Sequence, residues 1–122
     1  MPYVRVLIID DNDDLRNSLK LCLEDEGFDV STAANGMVAM QSLQQNPVDV
    51  VVTDLFMPDK DGIETIAELR KRFPRCKIVA MSGWASIEGS DYLSVAREIG
   101  AIRTLKKPFE PTELSRVLRE IG

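Results

Sequence analysis

The stretch VDVVVTDLFMPDKDG, residues 48–62, combines an apolar run with a cluster of acidic residues. The consecutive β-branched residues Val50 to Val52 are typical of a strand that is buried on both faces of a parallel sheet. The run ends at Thr53 and Asp54, and a Met-Pro step and two further aspartates follow it. A buried strand is therefore expected to carry the Asp54 carboxylate at its end, beside a loop that is itself acidic.

On either side of this stretch, short apolar runs alternate with segments of helical periodicity. The apolar runs predict strands at residues 4–9, 28–33, 48–53, 77–81 and 101–105. Apolar residues at helical spacing predict helices around residues 15–23, 38–43, 63–69, 92–99 and 114–121. Five strands alternating with five helices predict an α/β fold, a doubly wound five-stranded parallel sheet that helices cover on both faces.

The composition is that of an ordinary folded domain. The chain has 122 residues, of which 44% are hydrophobic and 29% charged, and this length suits a single domain. No apolar run approaches the roughly 20 residues that a membrane span needs. The first residues, MPYVRV, lack the build of a secretory signal. We therefore expect a cytoplasmic protein with no membrane partner.

Charge and residue types argue against several classes of function. The net charge of −5 is unfavourable for unspecific nucleic-acid binding, so we expect no direct nucleic-acid contact. The chain contains no histidine, which removes histidine-based catalytic triads and most transition-metal sites. Its two cysteines, Cys22 and Cys76, are expected to be free, partly buried thiols in a reducing compartment.

Complementary side chains follow four of the predicted strands at the point where each strand ends. In sequence order these residues are Asp10 and Asp11, Asp54, Ser82, and Lys106 and Lys107. Because the carboxyl ends of parallel strands meet at one edge of a sheet, we expect these groups to lie together. Each also has a structural explanation on its own, since the acid pair could precede a helix with Asp13 as its N-cap, and Ser82 could be a turn residue. The coincidence of all four at one edge favours a functional site.

A cluster of three ionised carboxylates requires positive charge beside it. At a separation of about 5 Å and an effective dielectric constant near 20, each pair repels by roughly 3 kcal/mol. Mg²⁺ prefers carboxylate, carbonyl and water oxygens, and an ammonium group can offset the remaining charge. Such a site leaves one carboxylate oxygen to attack phosphorus, while the metal, a lysine and a hydroxyl hold the phosphoryl oxygens.

Four motifs, taken in this order, resemble a response-regulator receiver domain of two-component signal transduction, similar to the chemotaxis regulators. They are DD after the first strand, D before LFMPDKDG at the end of the third, S after the fourth and KPF after the fifth. The resemblance covers the chain from Val4 to the last helix. It implies that residues 1–122 form one receiver domain with a flavodoxin-like (βα)5 fold and strand order 2-1-3-4-5.

The resemblance also implies what the protein does and which residues bind the metal. It implies a phosphorylation-controlled signalling switch that is not an enzyme. The only reactions implied are its own phosphorylation and its slow autodephosphorylation. Asp54 would be the phosphoacceptor and would form an aspartyl phosphate. Asp11 would bind Mg²⁺ directly and Asp10 would help through water. Asp54 itself and the backbone carbonyl of Phe56 would be further ligands.

The remaining motif residues would hold the phosphoryl group. Ser82 would hydrogen-bond it, and Lys107, directly before Pro108, would pair with it. Lys106 would be a solvated neighbour. Because the family often has a cis bond before this proline, the Lys107–Pro108 peptide is expected to be cis.

The implied phosphoryl donor is a phosphohistidine on a sensor histidine kinase or phosphotransfer protein, which agrees with the lack of histidine in this chain. The downstream target or output domain is not identified by the sequence, and a homodimer stays open. Two other interpretations also stay open. One is a Mg²⁺-dependent aspartyl-phosphate phosphohydrolase, although such enzymes typically carry the nucleophile on the first strand in a DxD motif. The other is a degenerate receiver that acts only as a binding surface, although the acceptor, acid pair and lysine are all present.

The chain departs from the family pattern at positions near the site. Thr104 stands three residues before Lys107, where the family usually has an aromatic residue, so a coupled aromatic switch is not expected. Phe56 and Trp84 lie two residues after Asp54 and Ser82, respectively. We expect these rings to hinder in-line attack by water and to prolong the life of the phosphoryl group.

Overall fold

Five parallel strands form the sheet in the computed structural model, which describes residues 4–55, 62–82 and 94–121. The strands are β1 (Arg5–Ile9), β2 (Asp29–Ala33), β3 (Val50–Asp54), β4 (Lys77–Ser82) and β5 (Arg103–Lys106). The helices are α1 (Asp13–Asp25), α2 (Gly36–Gln45), α3 (Gly62–Arg72), α4 (described over residues 94–99) and α5 (Pro111–Ile121). The strand order is β2-β1-β3-β4-β5, so the predicted α/β fold and its strand order are confirmed.

The sheet has a separate apolar core on each face. Successive side chains of a strand point to opposite faces, so Leu7 and Ile9 pack with residues of α2, α3 and α4. Val6 and Ile8 pack on the other face with residues of α1 and α5. Burial on both faces explains why β1 and β3 have apolar runs without the alternation of a half-exposed strand.

The third strand extends one residue beyond its predicted end. Asp54 pairs with Met81 of β4, and the next amide, that of Leu55, donates to the Met81 carbonyl at 2.9 Å. The sheet ladder therefore holds the backbone of Asp54 itself. This places the carboxylate on a rigid strand end instead of in the loop that follows.

The last strand starts two residues later than predicted, at Arg103. The amide of Ala101 donates to the carbonyl of Ala96, at the end of α4, and so belongs to the helix terminus. Gly100 makes this turn possible with a φ of 137°, a conformation that favours glycine. Hydropathy alone does not separate Ala101 from the strand, because Ala101 is apolar and buried, as a strand residue can be.

Asparagine residues cap the starts of two helices. The N-cap of α1 is Asn12, whose side-chain oxygen accepts from the Leu15 amide at 3.1 Å, and Asp13 is the first helical residue. The suggestion that Asp13 caps the helix is therefore wrong. Asn35 is the N-cap of α2, and its side-chain oxygen accepts from the Val38 amide. Asparagine serves well at such positions because its oxygen satisfies an amide that has no partner inside the helix.

Both cysteines are free thiols, as predicted, but the prediction that both are partly buried is wrong for Cys22. Cys22 is exposed on α1, whereas Cys76 is buried and its sulfur lies 3.2 Å from the Val48 carbonyl oxygen. Burial raises the pKa of the Cys76 thiol. Within the described ranges, none of the helices is long and apolar enough to cross a membrane.

An ion pair at the amino ends of the strands joins β1 to the residue before β3. The Asp49 carboxylate accepts from the Arg5 amide at 2.9 Å and lies 3.3 Å from its guanidinium. The hydrogen bond from the Arg5 backbone is the main reason why the pKa of Asp49 lies below its ordinary value of 3.8. Both side chains are about half exposed, so solvent weakens the charge attraction.

Asp49→Asn is expected to lower the free energy of unfolding near neutral pH by less than about 1 kcal/mol. A carboxyl whose pKa is lower in the folded than in the unfolded state stabilises the fold above its unfolded pKa, and this contribution is lost as pH falls through the folded pKa. The difference between parent and variant should therefore shrink between about pH 5 and about pH 2. Urea denaturation across this range measures it, and a difference that stays constant would contradict the assignment.

Candidate functional site

Three carboxylates converge at the carboxyl ends of β1 and β3. Asp10 and Asp11 directly follow β1, and Asp54 is the last residue of β3. Each offers a carboxylate oxygen, and these three oxygens all lie within 4.8 Å of one another. Asp10 and Asp54 are buried, whereas Asp11 is exposed to solvent. The structure thus brings together the acidic residues that the sequence placed at one sheet edge.

Lys107 supplies a positive charge to this cluster. Its Nζ lies 2.7 Å from Oδ2 of Asp10 and 3.4 Å from Oδ2 of Asp54, and its side chain is mostly buried. Its backbone amide donates to the Ser82 carbonyl at 2.7 Å, and the peptide bond to Pro108 is cis, as expected. Lys106 is exposed, so the structure distinguishes the two lysines as the sequence analysis did.

Ser82 is the last residue of β4 and is fully buried. Its hydroxyl oxygen has no hydrogen-bond partner among the residues that the structure describes. An unpaired buried hydroxyl costs about 1–3 kcal/mol, so such groups are rare outside functional sites. The hydroxyl is therefore a donor that a bound group could satisfy.

Asp10 is held by contacts to both of its carboxylate oxygens. Oδ1 accepts from the Asn12 amide at 2.9 Å, and Oδ2 accepts from Lys107. Its backbone amide donates to the Ala33 carbonyl of β2. These contacts fix the orientation of Asp10 and leave the exposed Asp11 as the more accessible carboxylate.

Gly62 at the start of α3 lies against the backbone that carries Asp54. Its amide donates to the Leu55 carbonyl at 3.0 Å. A Cβ at Gly62 would lie 2.4 Å from the Asp54 carbonyl oxygen and 2.5 Å from the Leu55 Cα, closer than real contacts allow. This role of Gly62 was not predicted from the sequence, although a glycine directly after an acidic loop and before a helix is the signal that could have suggested it. Phe56 and Trp84 lie outside the described residues.

A family comparison identifies the arrangement. Residues 6–119 match the family model described as the response regulator receiver domain. The chain belongs to this family. Receiver domains are the phosphoryl-accepting switches of two-component response regulators, and the expected family is thereby confirmed.

Relatives and solved structures agree with this assignment. The chain is 38% identical over 117 residues to the transcriptional regulatory protein CpxR homolog of Haemophilus influenzae, covering 96% of this chain and 49% of that protein. It is 33% identical to a putative NtrX-like response regulator of Rickettsia bellii, covering 98% of this chain and 25% of that protein. The chain thus spans between a quarter and a half of these two curated relatives.

The fold of the receiver domain closely matches chemotaxis regulators of known structure. The chemotaxis response regulator CheY4 of Vibrio cholerae superimposes with a TM-score of 0.89 at 28% identity, covering 99% of this chain and all of that chain. A CheY-like receiver domain protein of Methanospirillum hungatei gives a TM-score of 0.88 at 28% identity, covering 98% of this chain and 93% of that chain. The whole sheet and its helices are therefore shared with these domains.

The family match does not favour the alternative of a Mg²⁺-dependent phosphohydrolase. The buried acceptor candidate Asp54 lies on β3, whereas the first strand ends in the adjacent pair Asp10 and Asp11. The degenerate-receiver interpretation is weakened by the same geometry, because the acid pair, Asp54 and Lys107 converge.

Gly62→Ala is expected to destabilise the receiver domain by about 1–3 kcal/mol, because the added methyl group overlaps the backbone of Asp54 and Leu55. The amide signals of these two residues in ¹H–¹⁵N spectra should shift as the strand end moves. Urea denaturation measures the loss of stability. Lys71→Ala, at an exposed position on the same helix, is the matched control. An equal, small effect of both substitutions would contradict the role given to Gly62.

Proposed function

We propose that Asp54 is the phosphoacceptor of this receiver domain and that Mg²⁺ binds beside it. The observation that supports this proposal is the convergence of three carboxylate oxygens within 4.8 Å, two of them on buried residues. With Lys107 as the ammonium in contact, the cluster retains a surplus of negative charge that suits a divalent cation.

The ligand roles follow from the contacts of each carboxylate. Asp11 is exposed and is placed to bind Mg²⁺ directly, together with Asp54. Both oxygens of Asp10 already accept hydrogen bonds, so Asp10 contributes through a bound water. The backbone carbonyl of Phe56, outside the described residues, is the remaining protein ligand in this proposal. Bound Mg²⁺ would supply charge neutralisation for the carboxylates and the incoming phosphoryl oxygens.

The transfer itself needs a nucleophile and two hydrogen-bond donors. A carboxylate oxygen of Asp54 attacks the phosphorus of a phosphohistidine, a P–O bond forms, and the P–N bond breaks as the imidazole leaves. The Lys107 ammonium, 3.4 Å from the Asp54 carboxylate, pairs with a phosphoryl oxygen. The buried Ser82 hydroxyl donates to another phosphoryl oxygen and thereby gains the partner that it lacks among the described residues.

The biological setting is part of the same proposal. The donor is a sensor histidine kinase or phosphotransfer protein, and the target is a downstream protein or output domain. One relative is a sensor kinase, CckA of Brucella abortus, at 32% identity, and one similar structure is a beryllofluoride-activated receiver dimer of NtrC4 at 28% identity. A homodimer of this chain is therefore also proposed. We further propose that residues 1–122 form one receiver domain and that it is cytoplasmic, which its two free thiols support.

Asp54→Asn is expected to abolish phosphorylation by acetyl phosphate or by a phosphorylated kinase, because an amide is not a competent nucleophile. Intact-mass measurement detects the added phosphoryl group. The labelling of the parent should also disappear when EDTA removes Mg²⁺. Asp49→Asn, an aspartate at the opposite ends of the strands, is the control and should be labelled like the parent. Full labelling of the Asp54→Asn variant would place the acceptor elsewhere.

Slow autodephosphorylation is a separate part of the proposal and rests on the sequence positions of Phe56 and Trp84. The double variant Phe56→Asn with Trp84→Glu is expected to lose the phosphoryl group about tenfold faster, which corresponds to about 1.4 kcal/mol of barrier. The time course of intact mass after removal of the donor measures this rate. A half-life equal to that of the parent would show that the two rings do not limit access of water.

A further inference from the structure

Arg16 is a mostly buried cation beside the acidic cluster, and the proposed transfer does not use it. It lies in the first turns of α1, and its side chain is only 14% exposed. Nη1 donates to the backbone carbonyl of Asp10 at 2.7 Å, and Nη2 lies 2.5 Å from a carboxylate oxygen of Asp13. The guanidinium therefore reaches from the helix back to the end of β1.

Arg16 contacts the backbone carbonyl of Asp10, which takes no part in the sheet ladder of β1. Strand β1 ends at Ile9, so the Asp10 carbonyl lies beyond the last residue of that strand. Asp10 is fully buried, and a buried carbonyl without a donor costs about 1–3 kcal/mol. Arg16 supplies that donor. The same carbonyl belongs to the planar peptide that links Asp10 to Asp11, so the hydrogen bond orients the unit from which the Asp11 side chain departs.

We infer that Arg16 is a positioning residue for the metal site. By holding the Asp10–Asp11 peptide, it keeps the exposed Asp11 carboxylate within 4.8 Å of the carboxylates of Asp10 and Asp54. This inference rests on the proposed function, since it concerns the same Mg²⁺ site. It assigns a task to a residue that neither binds the metal nor touches the phosphoryl group.

The charge of Arg16 and the hydrogen bond that it makes to the Asp10 carbonyl have opposite effects on the affinity for Mg²⁺. A nearby guanidinium repels a divalent cation, so charge alone predicts tighter Mg²⁺ binding when Arg16 is removed. However, the Asp13 carboxylate contacts the guanidinium directly and offsets much of that repulsion. Loss of an outer contact that orients a metal ligand typically weakens metal affinity by about 10–100-fold. Geometry therefore dominates, and removal of Arg16 weakens Mg²⁺ binding.

The test is a calorimetric Mg²⁺ titration of the full chain and its variants. Arg16→Met is expected to raise the Mg²⁺ dissociation constant at least about tenfold. Arg103→Met is the matched control, with the same loss of charge at the start of β5, and should bind Mg²⁺ like the parent. Arg103 is half exposed, and its contact to Glu120 is long, at 4.0 Å, so its removal should leave the fold intact.

A second measurement separates positioning from a general loss of stability. Thermal unfolding with and without Mg²⁺ gives the stabilisation that Mg²⁺ adds, which depends on affinity and not on the stability of the apo protein. A purely structural role would lower both curves equally and leave the added stabilisation unchanged. Positioning predicts a smaller added stabilisation in Arg16→Met than in the parent.

The outcomes separate this inference from the proposed function. One outcome is that the parent binds Mg²⁺ and that Asp11→Asn abolishes this binding. If Arg16→Met then binds Mg²⁺ as tightly as the parent or more tightly, the inference fails and the metal site stands. If the parent does not bind Mg²⁺, the proposed function fails. If Arg16→Met does not fold, Arg16→Lys decides, because lysine keeps the charge but lacks the fork that bonds two acceptors at once. A dissociation constant at least about threefold above that of the parent then supports the inference, and a parental value overturns it.

Discussion

Mutual repulsion among three carboxylates at one sheet edge is the constraint to which the rest of the site responds. Two of these groups are buried, where an unpaired charge is especially unfavourable. Lys107 contacts both buried carboxylates, and its own position depends on the end of β5 and on the hydrogen bond that its backbone amide donates to the Ser82 carbonyl. The geometry of the acidic cluster is thereby linked to that of β5, at the edge of the sheet.

The parallel sheet stabilises the backbone that carries this cluster. β1 and β3 are buried on both faces by separate apolar cores, so their carboxyl ends are held by packing that does not involve the charges. Asp54 is itself a member of the sheet ladder through its pairing with Met81. The unfavourable electrostatics is therefore confined to side chains, while the backbone beneath them is stabilised by strand pairing and burial.

The fold class, strand order and acidic cluster could be predicted because they depend on periodicity and on residues that directly follow strands. Asn12 as the helix cap could not be distinguished from Asp13, because both residue types favour that position and the choice depends on local backbone angles. Gly62 and Arg16 act through backbone groups of other segments, namely the carbonyls of Asp54, Leu55 and Asp10. Contacts of this kind leave no periodic signal in a single sequence.

The buried Ser82 hydroxyl has a thermodynamic consequence for the unmodified protein. Its oxygen, at the end of β4, has no hydrogen-bond partner among the residues that the structure describes. A bound group that accepts a hydrogen bond from this hydroxyl removes the free-energy cost of about 1–3 kcal/mol that an unpaired buried hydroxyl carries. In the proposed function the phosphoryl group would be that acceptor, so phosphorylation of Asp54 would also stabilise the end of β4.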